Sequence, residues 1–163
     1  MRLCAICAGL GKSCCEQRDV LLSDGDVERI SVHAGRLDFF ESRPACSTAY
    51  LDQDDDPLWN VYTLDEGGRR RVLKHRTPGR CWFLGPQGCR LPVERRPLVC
   101  RLHPFEYTEE RLTGLSPECP AGFLAAGETL LANLEMNPGE AEEWRRQLYE
   151  ELRRNPASRS RAA

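Results

Sequence analysis

Apolar residues recur at helical spacing in the first third of the chain. The positions that share this face are Val27, Ile30 and Ala34. Ser23 is a good N-cap residue, and Asp26 stands at the N3 position of the helix that Ser23 would begin. We therefore predict a helix from about Asp24 to Ala34. The apolar residues that follow it, which we expect in the core, are Leu37, Phe39 and Phe40.

A second helical pattern occupies the end of the chain. Asn137 followed by Pro138 matches an N-cap with proline at the first helical position. This helix should run to about Arg154, and its apolar face consists of Ala141, Trp144, Leu148 and Leu152. Just before it, Gly122 begins a largely apolar segment that we predict as one helix through Leu134.

Between the helices the pattern changes to the alternation that is typical of β-strands. Residues 59–76 are predicted as a β-hairpin with its turn at residues 65–68. Residues 20–22 form a short strand or lead-in, and residues 107–113 form a short strand or hairpin arm. Together these elements predict a small α+β fold with irregular metal-binding loops at its centre, a β-hairpin and C-terminal helices.

Composition changes this picture in one respect, the size of the core. The 163-residue chain has 40% hydrophobic and 7% aromatic residues, so we expect a modest core that an added cross-link would help. Its net charge of −2 gives no overall indication of nucleic acid or membrane. No apolar run approaches the roughly 20 residues of a spanning helix, and residues 3–10 are too short and cysteine-broken for a signal peptide. We therefore expect a cytoplasmic protein in a reducing compartment.

The chain carries nine cysteines, and eight of them fall in two blocks. The blocks are Cys4, Cys7, Cys14 and Cys15 near the start, and Cys81, Cys89, Cys100 and Cys119 in the second half. An odd number of thiols in a reducing compartment favours metal or iron–sulfur ligation, with a disulfide-stapled fold as the alternative. We expect the fold to bring both blocks to shared metal, and Cys46, which stands alone, to be a buried structural thiol.

Local spacing in the first block supports ligation. Cys4 and Cys7 form a C-x-x-C unit, whose two thiolates can reach one ion from a single turn. The adjacent Cys14 and Cys15 are expected to serve different metals or different edges of a cluster. Eight thiolates exceed one tetrahedral site, so either two four-cysteine sites or one [4Fe–4S] cluster with spare thiols would fit.

The second block adds a turn, a short helix and cationic neighbours. A turn at residues 85–88 should bring Cys89 back towards Cys81, and Pro97 is well placed to begin a helix that carries Cys100. The arginines expected near the sulfurs, where they would offset thiolate charge, are Arg96 and Arg101. His103 is either a further ligand or a hydrogen-bond donor to one.

Two charged segments allow other interpretations. Residues 52–56 form an acidic loop, which we interpret as a solvated connection because the spacing of a calcium loop is not convincing. The basic run consists of Arg69, Arg70, Arg71, Lys74, His75 and Arg76. Such a run can bind phosphate, so a zinc-stabilised nucleic-acid-binding protein is one alternative. Neutralisation by nearby acids, or a polar edge strand, explains the run equally well.

These cysteines and their neighbours resemble a known family. The most specific string is Arg96-Pro97-x-x-Cys100-Arg101-x-x-Pro104-Phe105. The chain is similar to the cysteine-cluster proteins described as zinc- or iron-chelating domains, which include the bacterial YkgJ-type proteins. The flagellin lysine-N-methylases carry a similar cluster. The resemblance covers about residues 4–120 and departs at the front, where six residues separate Cys7 from Cys14 and the family usually has two or three.

The resemblance implies metal binding, with iron–sulfur and zinc both open. The main hypothesis is a metal- or cluster-binding protein that carries metal or electrons or supports a protein partner. The alternative is an iron–sulfur enzyme, or a component of one, in protein side-chain modification such as lysine N-methylation. The chain shows no Gly-rich turn that would cradle S-adenosylmethionine, so methyl transfer is not carried over.

The same pattern suggests a division of the chain. We predict a cysteine-cluster metal-binding domain at residues 1–121 and C-terminal helices packing on it at residues 122–155. Residues 156–163 are predicted to be a disordered tail.

Overall fold

A computed structural model of the chain describes residues 2–11, 14–16, 18–45, 55–76, 79–117, 119 and 121–154. The helices are α1 (Arg2–Gly9), α2 (Asp24–Ala34), α3 (Trp59–Thr63), α4 (Leu98–Leu102), α5 (Leu130–Leu134) and α6 (Pro138–Arg154), with 3-10 turns at Val93–Arg95 and Ala121–Phe123. The strands are β1 (Phe40–Pro44), β2 (Arg69–Leu73), β3 (His75–Arg76), β4 (Arg80–Cys81), β5 (Leu84–Gly85), β6 (Gly88–Cys89), β7 (Phe105–Tyr107) and β8 (Leu112–Leu115). This is the predicted α+β fold. The predictions for Cys46, for residues 52–54 and for the tail at residues 156–163 lie outside the described residues.

Helix α2 confirms the prediction at both ends. The Ser23 hydroxyl oxygen accepts a hydrogen bond from the Asp26 amide at 3.0 Å, and the Asp26 carboxylate accepts one from the Ser23 amide at 3.1 Å. Gly35 follows the helix with φ 66°, a conformation that glycine adopts without the steric cost of a Cβ. Ile30 and Asp26 are buried on the inner face of the helix.

The hairpin predicted for residues 59–76 is wrong in its first strand. Trp59–Thr63 forms helix α3, in which Trp59 and Thr63 are buried one turn apart and the Thr63 hydroxyl donates to the Trp59 carbonyl at 2.8 Å. Strand β2 pairs instead with β1 along its whole length, and residues 20–22 lie on its other side through a bridge between Leu21 and Val72. Residues four apart suit one face of a helix as well as one face of a strand, so alternation over so short a segment is ambiguous.

Three short antiparallel hairpins follow, β3 with β4, β5 with β6 and β7 with β8. In the second of them the predicted turn places Leu84 opposite Cys89. The single strand or hairpin arm predicted at residues 107–113 is wrong in its bounds, because this segment spans the end of β7, the turn and the start of β8, with Tyr107 opposite Leu112. The pair carries an irregularity between Glu106 and Tyr107. These hairpins are too short to form a continuous sheet, so they serve as loops that carry side chains inward.

The apolar helix predicted at residues 122–134 is interrupted. Its first residues belong to the 3-10 turn, and α5 begins only after Thr129, whose hydroxyl oxygen accepts the Ala132 amide at 3.3 Å. Between them Gly127 has φ 87°, which breaks a helix. Helix α6 is confirmed over its predicted length, and it packs on α4 with Ala141 and Leu148 fully buried.

The apolar interior is divided into three clusters of buried residues. The first lies among α3, α4 and α6 and includes Trp59, Leu98, Leu102, Leu148 and Tyr149. The second includes Ile30, Phe39, Leu73, Phe83 and Leu91. The third is the smallest and consists of Leu3, Cys7 and Leu134. Phe39 is fully buried as expected, but the prediction for Leu37 is wrong because this side chain is 62% exposed just beyond the end of α2.

Candidate metal centre

The fold brings the two cysteine blocks together. The Cys81 amide donates a hydrogen bond to the Cys15 carbonyl at 2.9 Å. Next to this bond, Glu16 forms an isolated bridge with Arg80, and their side chains form an ion pair at 2.8 Å. On the other side, helix α1 lies against β6, where a Cβ added to Gly88 would stand 3.7 Å from the Cβ of Cys4.

All eight cysteines of the two blocks line one cavity of about 290 Å³. These residues are Cys4, Cys7, Cys14, Cys15, Cys81, Cys89, Cys100 and Cys119. In the described part of the chain they are thiols, with no disulfide among them. Cys7 and Cys81 are buried, Cys14 is exposed, and the others are half-buried. The expectation that both blocks meet at one place is therefore consistent with the arrangement of the side chains.

The cavity lies where the second and third core clusters meet. Cys4 and Cys119 pack against the third cluster, to which Cys7 belongs. Cys15 and Cys100 pack against the second cluster. A metal ion or cluster bound in the cavity would contact both core clusters. It would therefore link two parts of the interior that form separate apolar clusters.

The thiols face an environment that keeps them protonated. Burial raises the pKa of Cys81 to about 12, and burial also raises the pKa of Cys4, Cys7, Cys89 and Cys100. A hydrogen bond with Cys15 raises the pKa of Cys14. Several thiolates crowded in one cavity repel one another, so a cation that replaces their protons would relieve this repulsion.

Donors aimed at the sulfurs come from the second block itself. The backbone amides of Phe83 and Leu84 hydrogen-bond the Cys81 thiol, and the amide of Leu91 hydrogen-bonds Cys89. Such bonds stabilise a thiolate and tune a metal that it binds.

Arg96 is an arginine whose positive charge acts on the pKa of nearby cysteines. Its guanidinium hydrogen-bonds Cys89, and its positive charge acts against the burial that raises the pKa of Cys4 and Cys89. The Arg96 Nε donates to the Leu91 carbonyl at 3.0 Å. Arg101 lines the cavity, but its guanidinium donates to the carbonyls of Arg96 at 2.8 Å and Glu94 at 2.6 Å. Arg101 therefore holds the loop that carries Arg96.

His103 also lines the cavity and contacts a thiol. Its Nε2 lies 3.4 Å from the Cys119 sulfur. This geometry suits a hydrogen bond from an imidazole N–H to a sulfur, which is the second of the two roles considered for His103. No sequence pattern pairs these two residues, because they are sixteen positions apart.

The basic run at β2 is partly neutralised by acids. Arg70 lies 3.3 Å and Arg43 lies 2.9 Å from carboxylate oxygens of Asp19, and Arg71 forms an ion pair with Asp24. The side chain of Arg70 is also almost fully buried. Nearby acids therefore account for two of the arginines that a nucleic-acid interface would use.

The donor set fits a soft metal. Thiolate and imidazole are ligands that zinc and iron–sulfur clusters prefer, and N–H groups and a guanidinium are in place to balance their charge. Within the described residues, no group of three or more His, Cys, Asp or Glu side chains stands ready to hold a metal ion. No described helix has both the length and the apolar character needed to cross a membrane.

A cysteine-lined cavity of this kind defines a metal-chelating class of domain. The chain belongs to the CxxCxxCC family, whose description is "Putative zinc- or iron-chelating domain" and whose model matches residues 3–120. The family resemblance noted in the sequence is thereby confirmed, and zinc or iron binding is the function that the family indicates. No curated protein and no solved structure matches the chain.

Proposed function

We propose that this protein holds an iron–sulfur cluster of the [4Fe–4S] type on thiolates drawn from both cysteine blocks. The observation that carries the proposal is the single cavity lined by eight thiols, beside which the Cys81 amide bonds the Cys15 carbonyl. The candidate ligands are the eight cysteines of that cavity. A bound cluster would supply one-electron chemistry or structural support, and the role would then be to carry electrons or to hold a surface for a protein partner.

The number and setting of the thiols favour iron–sulfur over zinc. One tetrahedral zinc takes four ligands, and twice that number line this cavity. Amide hydrogen bonds to sulfur, seen at Cys81 and Cys89, are among the features that set the properties of iron–sulfur sites. In the sequence Cys119 precedes a proline, as the last ligand of bacterial cluster motifs does.

Three side chains have roles that do not depend on which metal is bound. Arg96 offsets the charge of the ligands through Cys89 and Cys4. His103 Nε2 lies within hydrogen-bond distance of the Cys119 sulfur, to which a protonated Nε2 would donate, and Arg101 fixes the loop on which Arg96 stands. The apolar residues around them limit access of water, which lowers the dielectric around the sulfurs and strengthens these interactions.

The test is anaerobic purification followed by a visible spectrum and analysis for iron, sulfide and zinc. The expected result is a brown protein with broad visible absorption and equal amounts of iron and sulfide. A colourless protein with stoichiometric zinc would show that the metal is zinc and would refute the cluster. Absence of all three elements, after reconstitution under reducing conditions, would refute the metal centre itself.

A second candidate function is an enzyme, or an enzyme component, that modifies a protein side chain. The specific observation is that the cavity continues beyond the cysteines to apolar and aromatic residues, including Trp59, Tyr107 and Trp144. The buried Nε1 of Trp59 has no hydrogen-bond partner in the described part of the chain, so it remains available to a ligand oxygen. A cleft of this kind is where a substrate would meet a cluster.

Lysine methylation is the activity to test for this candidate. The lysine amine would attack the methyl group of S-adenosylmethionine, with loss of a proton and release of S-adenosylhomocysteine. The reconstituted protein is incubated with a lysine-rich protein and S-adenosylmethionine, and mass spectrometry measures added methyl groups. Product that forms with the wild-type protein and is lost in a folded Trp59→Phe variant, which keeps an aromatic ring and removes Nε1, supports the enzyme. No product with the metal-loaded wild-type protein removes this activity.

A further inference from the structure

A buried carboxylate on helix α2 lies outside the cysteine cavity and yet contacts the helix that carries Cys100. Asp26 is fully buried, and one of its oxygens accepts the Leu98 amide at 3.0 Å and the Arg29 Nη2 at 2.6 Å. The other oxygen accepts the Ser23 amide at 3.1 Å. Three donors on two helices therefore converge on one carboxylate.

The bond to Leu98 caps helix α4 from a distant part of the chain. Leu98 is the first residue of α4, so its amide is one of the groups that an isolated helix leaves without a partner. The N-cap position holds Pro97, and no side-chain cap bond comes from it. Asp26, 72 residues earlier in the chain, supplies the missing acceptor. A helix of only five residues has few internal hydrogen bonds, so its direction depends on such contacts.

The carboxylate is itself fixed by residues of α2 and α6. Arg29 donates to Glu151 at 2.5 Å through Nη1 and at 3.0 Å through Nη2, in addition to its bond with Asp26. Glu151 also accepts the Ser23 hydroxyl and the Gln147 side-chain amide. This network ties α2, α4 and α6 together, and Arg29 balances the charge of both carboxylates.

We infer that Asp26 is a positioning residue for Cys100: its carboxylate fixes the start of α4 and so the point at which the Cys100 sulfur enters the cavity. The inference rests on the proposed metal centre, in which Cys100 is a ligand. Cys100 is the third residue of α4, so a change in the direction of this helix moves its sulfur directly. The groups that hold ligands in place commonly change metal affinity about 10- to 100-fold when they are removed.

Asp26→Asn is the most selective substitution. It keeps the size of the side chain but presents an NH₂ group to one of the amides that Asp26 accepts, so one of these bonds is lost. Asp56→Asn is the matched control, because Asp56 is also buried, accepts a bond from the Tyr149 hydroxyl and does not line the cysteine cavity. Both variants lose a buried carboxylate, and only the first one touches α4.

The probe is Co²⁺, titrated under reducing conditions against a competing chelator and followed by its thiolate charge-transfer absorption. Asp26→Asn should lower the apparent affinity about 10- to 100-fold and weaken this absorption, whereas Asp56→Asn should match the wild type. An Asp26→Asn protein that is folded and binds Co²⁺ as the wild type does would overturn the inference. Wild-type protein that binds no Co²⁺ and no iron would instead refute the metal centre on which the inference rests.

A local readout covers the case in which Asp26→Asn is unstable. The Co²⁺-loaded proteins are alkylated briefly, and mass spectrometry compares labelling at Cys100 with labelling at Cys81. Asp26→Asn, or the charge-conserving Asp26→Glu, should increase labelling at Cys100 more than at Cys81. Equal increases at both thiols would show that the substitution acts through general unfolding, and this result would also overturn the inference.

Discussion

Replacing Cys100 by alanine separates the packing role of this thiol from its proposed ligand role. Cys100 is half-buried against the second core cluster, so the lost sulfur alone should cost about 1 kcal/mol of unfolding free energy. Structural zinc sites bind with about 10–16 kcal/mol, and this binding free energy is folding free energy. If each of four ligands contributes a quarter of this binding free energy, Cys100→Ala should lower the unfolding free energy of the metal-loaded protein by about 3 kcal/mol or more.

The assay is urea unfolding of metal-loaded and metal-stripped samples, together with metal content per chain. We expect Cys100→Ala to lower the free energy of unfolding by about 1 kcal/mol in the metal-stripped sample and by several times that amount in the metal-loaded sample. Val99→Ala is the matched control, because Val99 is the neighbouring α4 residue and packs against the first and second core clusters without a thiol. This control should cost about 1–2 kcal/mol in both states. Equal losses for Cys100→Ala in the two states, with full metal content, would refute the reasoning.

Three further predictions concern residues around the site and the core. Burial raises the pKa of Asp56, so its contribution to stability is greatest at acid pH and is lost as pH rises through its folded pKa. In urea titrations, the free energy of unfolding of the wild type minus that of Asp56→Asn should therefore fall as the pH rises. A difference that grows with rising pH would contradict this. Gly25→Ala should lower the melting temperature, because its Cβ would clash with the Glu151 carboxylate, whereas Gly9→Ala, with open space around it, should not. Arg96→Gln should lower Co²⁺ affinity about 10-fold with little change in melting temperature, and unchanged affinity would exclude its role in balancing thiolate charge.

Elements defined by local chemistry could be predicted from the sequence. Helix α2 begins at Ser23 because a hydroxyl and a carboxylate three residues apart satisfy each other's backbone amides, which is a contact within one turn. Helix α6 begins after Asn137, whose side-chain oxygen accepts the Gly139 amide at 2.7 Å. The convergence of the cysteine blocks was also foreseeable, because many cysteines outside an oxidising compartment are more often metal ligands than disulfides, and ligands of one site must lie together.

Contacts between distant segments account for what could not be predicted. Strand β2 pairs with β1, but the sequence offered Trp59 and Val61 as a nearer partner with suitable alternation. The bond from Asp26 to Leu98 was invisible because Asp26 already had a complete local role in the capping box. A residue that satisfies one pattern gives no sign of a second contact made through its other lone pairs.

The backbone bond between Cys15 and Cys81 has a consequence for how the chain is made. Synthesis runs from the amino terminus, so the first four thiols leave the ribosome long before the segment that encloses them exists. Contacts of such long sequence separation also form slowly. During this interval the early thiols are open to oxidants and to competing ions, so a newly made chain depends on its surroundings to keep them reduced until the later half arrives.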